Sequence, residues 1–376
     1  MIYYHRVRAE AGKGLFVNGR KKIVRLFIKT FLITISVFAL VVFAGWLTLR
    51  KAIQPPVIAE SNISVAQTDE NNTLNEAAFI VPEADEADKS IGDDRTAPVG
   101  FTRDDRKELF YTFLIFGLDK GVNSDTIMVA AYDGAEKKGY VIGIPRDSKV
   151  NVKRRVKKIN AAYPSGTLNG GGRSGGIEQL KREIQTIIGF TPDYYVCVDL
   201  NAFVRLVDAL GGVEVNVPFN MRYDDPVQKL HINIAQGLQK LSGEDALKFA
   251  RYRLGNSSKN NITDYQRIEN QQAVIKAVID QLLKPASLLK LPEFVDIFLE
   301  NVHTDMEIDD ALWFALELNK IKGTDALETH TMPTTGSSGL PDWYELLDEA
   351  AVVELINKTI NPFVKDIEAK DIDITK

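Results

Sequence analysis

The sequence predicts an α/β domain, a central sheet with helices on its faces, preceded by one transmembrane helix. Three observations predict it. A charge-free run at residues 31–49 (FLITISVFALVVFAGWLTL) follows a basic amino-terminal stretch. Short apolar runs ended by Gly, Asp or Pro recur from residue 111, as buried strands do. Between them lie stretches with apolar residues three and four apart, the helical period, and this alternation is that of helices packed on a sheet.

The amino-terminal thirty residues carry Arg6, Arg8, Lys13, Arg20, Lys21, Lys22, Arg25 and Lys29 against Glu10 alone. At about 1.5 Å per residue the charge-free run nearly spans a hydrocarbon core of about 30 Å. Extending it gives a helix over 27–49, with 1–26 as a cytoplasmic tail. The basic flank orients the tail inward, and Trp46 suits the exit interface. This is the topology of a single-pass protein of the cell membrane whose later domain is extracytoplasmic. A cleaved signal peptide is the rival reading; the long basic region and the bulky Gln54-Pro55-Pro56 favour retention. Residues 50–106 are rich in Ala, Asn, Ser, Asp and Glu and read as a flexible linker. The domain is then 107–376.

Strands are predicted at 111–116 (YTFLIF), 126–132 (TIMVAAY) and 140–144 (YVIGI). The glycine run 169–176 (NGGGRSGG) lacks the Gly-Lys-Ser/Thr ending of a phosphate loop and reads as a flexible turn into a helix over 177–188; Ser174 and its neighbours could also meet an anion there. Strands at 194–198 and 213–217 flank a helix over 202–210 that ends at Gly211-Gly212. Ser242 and Asp245 cap a helix over 243–252. A longer helix covers 265–283, and the tail alternates helices at 291–299, 308–318 and 343–356 with loops that hold His303 and His330. His231 is also placed in a loop, and the histidines show no metal spacing.

The net charge of −5 argues against a nucleic-acid partner for the chain. Cys197, the single cysteine, has no intrachain partner, and within the apolar run 194–198 it reads as a small core side chain.

Polar residues cluster at the ends of the apolar runs. If the strands at 111–116 and 126–132 are neighbours, the loop 121–123 brings Asp119 and Asp125 to one edge. Paired carboxylates repel unless one is protonated or a cation lies between them, and a hard oxygen set of this kind suits Mg²⁺. The plain alternative is two turn-forming aspartates. Arg251 and Arg253 face one way if the chain between them is extended. Arg267 and Gln271 lie four apart on a helix start. With Arg146, four arginines are available, and guanidinium forks match phosphate oxygens bidentately.

These stretches resemble the LytR-CpsA-Psr family of cell-envelope proteins. The resemblance runs through Phe116-Gly117-Leu118-Asp119, Ser124-Asp125-Thr126, Pro145-Arg146-Asp147, Lys158-Ile159-Asn160-Ala161-Ala162-Tyr163, Ala250-Arg251-Tyr252-Arg253 and 264–272. It implies an α/β/α sandwich on a mixed sheet and an enzyme that transfers an anionic glycopolymer, such as teichoic acid or capsule, from a polyprenyl diphosphate carrier to peptidoglycan. Asp119 and Asp125 would hold Mg²⁺; Arg146, Arg251, Arg253 and Arg267 would clamp the diphosphate, with Gln271 positioning it. Asp147 is a candidate base. Two positions depart from the family pattern: Lys120 stands where an arginine is common, and Asn270 where the helix motif carries a second arginine. Hydrolysis of the lipid diphosphate, or binding it without turnover, are the alternative activities.

Overall fold

The computed structural model describes residues 54–58, 97–119, 123–225, 230–257, 260–282, 284, 287, 290–318, 320, 326–339 and 343–374. The predicted cytoplasmic tail and transmembrane helix (1–49) and most of the linker lie outside them. Among the described residues no helix is long and apolar enough to cross a membrane.

The strands in chain order are β1 (Phe110–Asp119), β2 (Asn123–Asp133), β3 (Lys138–Gly143), β4 (Tyr194–Asp199), β5 (Val213–Val217), β6 (Met221–Asp225), β7 (Leu230–Ile234), β8 (Gly237–Leu241), β9 (Val302–Thr304), β10 (Leu327–Thr331), β11 (Thr334–Ser337) and β12 (Glu345–Leu347). The helices are α1 (Ala162–Gly166), α2 (Gly172–Ile188), α3 (Leu200–Ala209), α4 (Gly243–Arg251), α5 (Asp264–Leu282), α6 (Leu291–Asn301), α7 (Ile308–Leu318) and α8 (Glu349–Thr359).

A six-stranded mixed sheet in the order β10-β3-β2-β1-β4-β9 forms the centre. The pairs β1–β4 and β3–β10 are parallel, and β1–β2, β2–β3 and β4–β9 antiparallel. Alternation along the strands sends Leu114, Phe116, Val129, Ile142 and Cys197 to one face, where they pack on Leu180 and Ile184 of α2 and Val352 and Ile356 of α8. The other face carries aromatic residues. Tyr111, Phe113 and Tyr194 meet Phe314 of α7 edge to face at 5.0–5.8 Å, while Met128, Ala130 and Val141 pack near Ile275 of α5. The α/β/α layering expected from the alternation is therefore present.

A second core lies beside the sheet. The two-stranded ribbons β5–β8 and β6–β7 enclose Val213, Val215, Met221 and Ile232 with Phe249 of α4 and Val274 of α5. β5, whose apolar alternation reads like a central strand, pairs here with β8 instead.

Four expectations need correction. Packing begins before residue 107: Ala97 and Phe101 are buried in the main core, and the Phe101 ring lies 4.9 Å from that of Phe363. The helix expected over 343–356 starts at Glu349, because the Asp348 carboxylate accepts the Ala351 N–H at 3.2 Å and caps it there; Glu345–Leu347 is a strand. The helix expected from residue 177 begins at Gly172, so the end of the glycine run is helical. His231, His303 and His330 lie on β7, β9 and β10 rather than in loops, strands too short or too polar to announce themselves.

Candidate anion-binding site

β1, β3 and β4 run the same way, and their carboxyl ends open on one cavity of about 240 Å³. Ligands in open α/β sheets favour this edge. Gly117 of β1, Thr126 of β2, Arg146 just after β3 and Leu200 at the start of α3 form one side. Arg251, Arg253 and Leu254 around the end of α4, Arg267 and Gln271 of α5, and Tyr223, Leu230 and Ile232 of the β6–β7 ribbon form the other.

Each arginine is brought there by a local cause. Arg146 follows Pro145, and a turn closed by the Ser148 N–H on Pro145 O at 2.9 Å swings the chain off the end of β3. Arg251 is the last residue of α4, which Ser242 caps through its Oγ, accepting the Asp245 N–H at 3.2 Å. Tyr252 then leaves helical geometry (φ −56°, ψ 129°) and is fully buried, its hydroxyl donating to Asn260 O at 3.0 Å. With that ring as an anchor, Arg251 and Arg253 on either side of it both reach the cavity, as the extended-chain reading of the pair requires. Arg267 is 5% exposed and its Nη2 lies 2.8 Å from the Asp264 carboxylate one turn earlier. Gln271, one turn later, reaches Ala250 O at 3.5 Å, tying α5 to α4.

The β1–β2 register carries Asp119 and Asp125 to the same end of the sheet. Gly117 pairs with Thr126, but Leu118 pairs with Ser124 and Asp119 with Asn123, which leaves Asp125 as the extra residue of a β-bulge. Such bulges sit at sheet ends and re-aim side chains. The adjoining Gly117 and Thr126 line the cavity. Lys120 lies outside the described residues.

Two predicted residues stand apart from the cavity lining. Asn270 is buried on α5. Asp147 is also buried, its carboxylate 3.0 Å from Lys158 Nζ and 3.9 Å from Arg146 Nε. Asp147 thereby braces Lys158 and lies close to Arg146. Beside it on β12, burial pushes the Glu345 carboxyl up, with Trp343 donating a hydrogen bond that opposes the rise and Asp264 and Asp147 adding to it.

Sequence reasoning missed Tyr223, Leu230 and Ile232. Their signal is a weak alternation in two five-residue runs, and it says nothing of the sheet edge they would face. A larger cleft of about 490 Å³ lies along edge strand β9, where Arg173 meets His303; it holds none of the four arginines.

Four guanidiniums line this cavity, with no carboxylate among the described lining residues, and guanidinium forks match phosphate oxygens bidentately. The fold and site thus define an α/β/α domain with an arginine-lined cavity beyond the carboxyl ends of its parallel strands. The chain belongs to the LytR_cpsA_psr family, which its residues 19–361 match. It is 28% identical over 271 residues to the polyisoprenyl-teichoic acid–peptidoglycan teichoic acid transferase TagV of Bacillus subtilis, covering 68% of this chain and 65% of that one. It is 27% identical over 233 residues to the regulatory protein MsrR of Staphylococcus aureus, covering 60% and 65%. The chain thus spans about 65% of the length of these curated relatives. The crystal structure of Bacillus subtilis TagV superposes with a TM-score of 0.55 at 24% identity, over 72% of this chain and all of that one, a likeness of fold.

Proposed function

We propose that this protein is a membrane-anchored transferase that moves an anionic glycopolymer from a polyprenyl diphosphate carrier to peptidoglycan. The observation that carries the reading is the convergence of Arg146, Arg251, Arg253 and Arg267 on one cavity. Their forks would bind the diphosphate, orient the phosphoryl group and stabilise charge developing on its oxygens and on the departing lipid phosphate. The name of the relative TagV supports the reaction class. Asp119 and Asp125 would hold Mg²⁺, which when bound supplies further charge neutralisation at the phosphates. The predicted helix over 27–49 would set the domain, from about residue 97 onward, at the outer face of the cell membrane.

The test uses the full chain in detergent with lipid-diphosphate-linked glycopolymer, peptidoglycan chains and Mg²⁺. A polymer–glycan phosphodiester is expected. Arg253→Ala should lower its rate by about 100-fold, the usual effect of removing one charge-stabilising donor, and Asp125→Ala or chelation should abolish it. Free monophosphorylated polymer would instead mean hydrolysis. Tight lipid binding with no product would mean a sensor, and the transferase reading would be lost.

A further inference from the structure

The cleft of about 490 Å³ at β9 has about twice the volume of the arginine cavity and shares no lining residue with it. Its volume falls within the range of about 300–1,000 Å³ usual for small-molecule sites. The arginine cavity, at about 240 Å³, lies below that range.

The end of the sheet creates the cleft. β9 is the last strand in the sheet order and pairs with β4 alone. Cys197 of β4 pairs with His303, and the Cys197 side chain is buried in the main core beside α2, so alternation sends His303 to the α2 face. There it meets Arg173, on the first turn of α2, while Ile177 follows one turn later on the same side of that helix. α6 runs directly into β9, the Val302 N–H donating to Phe298 O, which sets the Phe298 ring at the start of the strand. Met306 lies just past its end.

Charge in the cleft is gathered where Arg173 meets His303. A guanidinium only donates, so His303 Nε2 accepts in that contact, and the imidazole is neutral with its proton on Nδ1. Burial and the Arg173 charge both lower the His303 pKa, with Asp199 opposing them. Arg173 also donates to the Tyr163 hydroxyl. Both of these partners are neutral, and neither balances the guanidinium charge. The Asp199 carboxylate caps α3, accepting the Asn201 N–H at 2.7 Å.

The other walls are of a different kind. Ile177 is buried, while Tyr195, Phe298 and Met306 are half-buried and line the space. Two aromatic rings and a flexible thioether adapt to an apolar body of varied shape. One guanidinium fork matches one carboxylate, whereas a diphosphate calls for the several forks found in the other cavity.

We propose that this cleft is a second binding site, for a small acid whose carboxylate sits on Arg173 and His303 and whose aliphatic or aromatic body lies against Ile177, Tyr195, Phe298 and Met306. The proposal stands apart from the transferase reading, since it uses none of the residues on which that reading rests.

The test is calorimetric titration of the full chain in phosphatidylcholine nanodiscs, with empty nanodiscs as the blank for partition into lipid. The probes are 4-phenylbutyrate, its uncharged counterpart 4-phenylbutanol, and geranyl diphosphate for the arginine cavity. Phenylbutyrate should bind saturably, and phenylbutanol more weakly by about tenfold, the usual loss for a hydrogen bond to a charged group. Arg173→Gln should weaken phenylbutyrate by about tenfold while phenylbutanol and geranyl diphosphate stay within about twofold of wild type. Arg173→Lys, which keeps the charge and loses the fork, should fall between. Phe298→Ala should weaken phenylbutyrate and phenylbutanol alike. Absence of saturable phenylbutyrate binding would overturn the proposal, as would equal affinity for phenylbutanol or wild-type affinity in Arg173→Gln. So would displacement of phenylbutyrate by geranyl diphosphate, which would place the acid in the arginine cavity.

Discussion

Lys158 shows how a distant residue fixes a local one, since its ammonium, eleven positions on, lies 3.0 Å from the Asp147 carboxylate beside Arg146. Cys197 has the opposite history: an apolar sequence context predicts an inert thiol, and the side chain is 1% exposed in the main core. Burial pushes its thiol up to about 11, with Arg173 opposing the rise and Asp199 adding to it. At pH 8 almost no thiolate is present to react. Native protein should therefore show no titratable thiol with a disulfide reagent, and one after denaturation in guanidinium. Reaction of the native protein at the rate of a free thiol would contradict this.

Among the elements, α5 is seated closely on the sheet. It crosses β3 at Gly143, where a Cβ would overlap Ile268 Cγ2 and come within 3.3 Å of Gln272 Nε2. The helix also presents Arg267 and Gln271 to the cavity, so strand–helix contact and anion binding are coupled through one backbone. Gly143→Ala should destabilise the domain by about 1–3 kcal/mol, the usual cost of overpacking, and should weaken geranyl diphosphate binding. An unchanged urea midpoint would mean that α5 is seated loosely there. The capped helix α4 was legible in advance because its signal, Ser242 with Asp245, is local. The helix expected from 343 failed for the same reason in reverse: its apolar spacing suggested a start that the Asp348 cap and the pairing of β12 with β11 overrule.

At the scale of the whole molecule, the sheet carries a main core on one face and an aromatic layer on the other, where three tyrosines lie buried. Burial pushes the Tyr111 hydroxyl up to about 12, with Asp193 and Asp310 adding to the rise. Burial likewise raises Tyr132 and Tyr194, aided by their hydrogen bonds to Glu317 and Asp310. An unfolded tyrosine loses its proton near pH 10. The folded state keeps these protons longer, so their contribution is fully present below about pH 10 and is lost as pH rises through the folded values. The thermal midpoint should hold near neutral pH and fall progressively above about pH 10, and Tyr111→Phe should make the fall shallower. A midpoint that stays level to about pH 12 would remove the argument.

The sequence alone determined the local periods, and with them most strands and helices of the sheet layers, the arginines that gather at its edge, and the family. Those properties depend on residues within one or two turns of each other. Tertiary structure alone decided that β5 leaves the central sheet for β8, that Gln271 lines the cavity while its neighbour Asn270 does not, and that Lys158 reaches Asp147. Strand partners and cavity walls are drawn from positions as distant as Gly117 and Gln271, and no local spacing records which distant surface will complete a buried face.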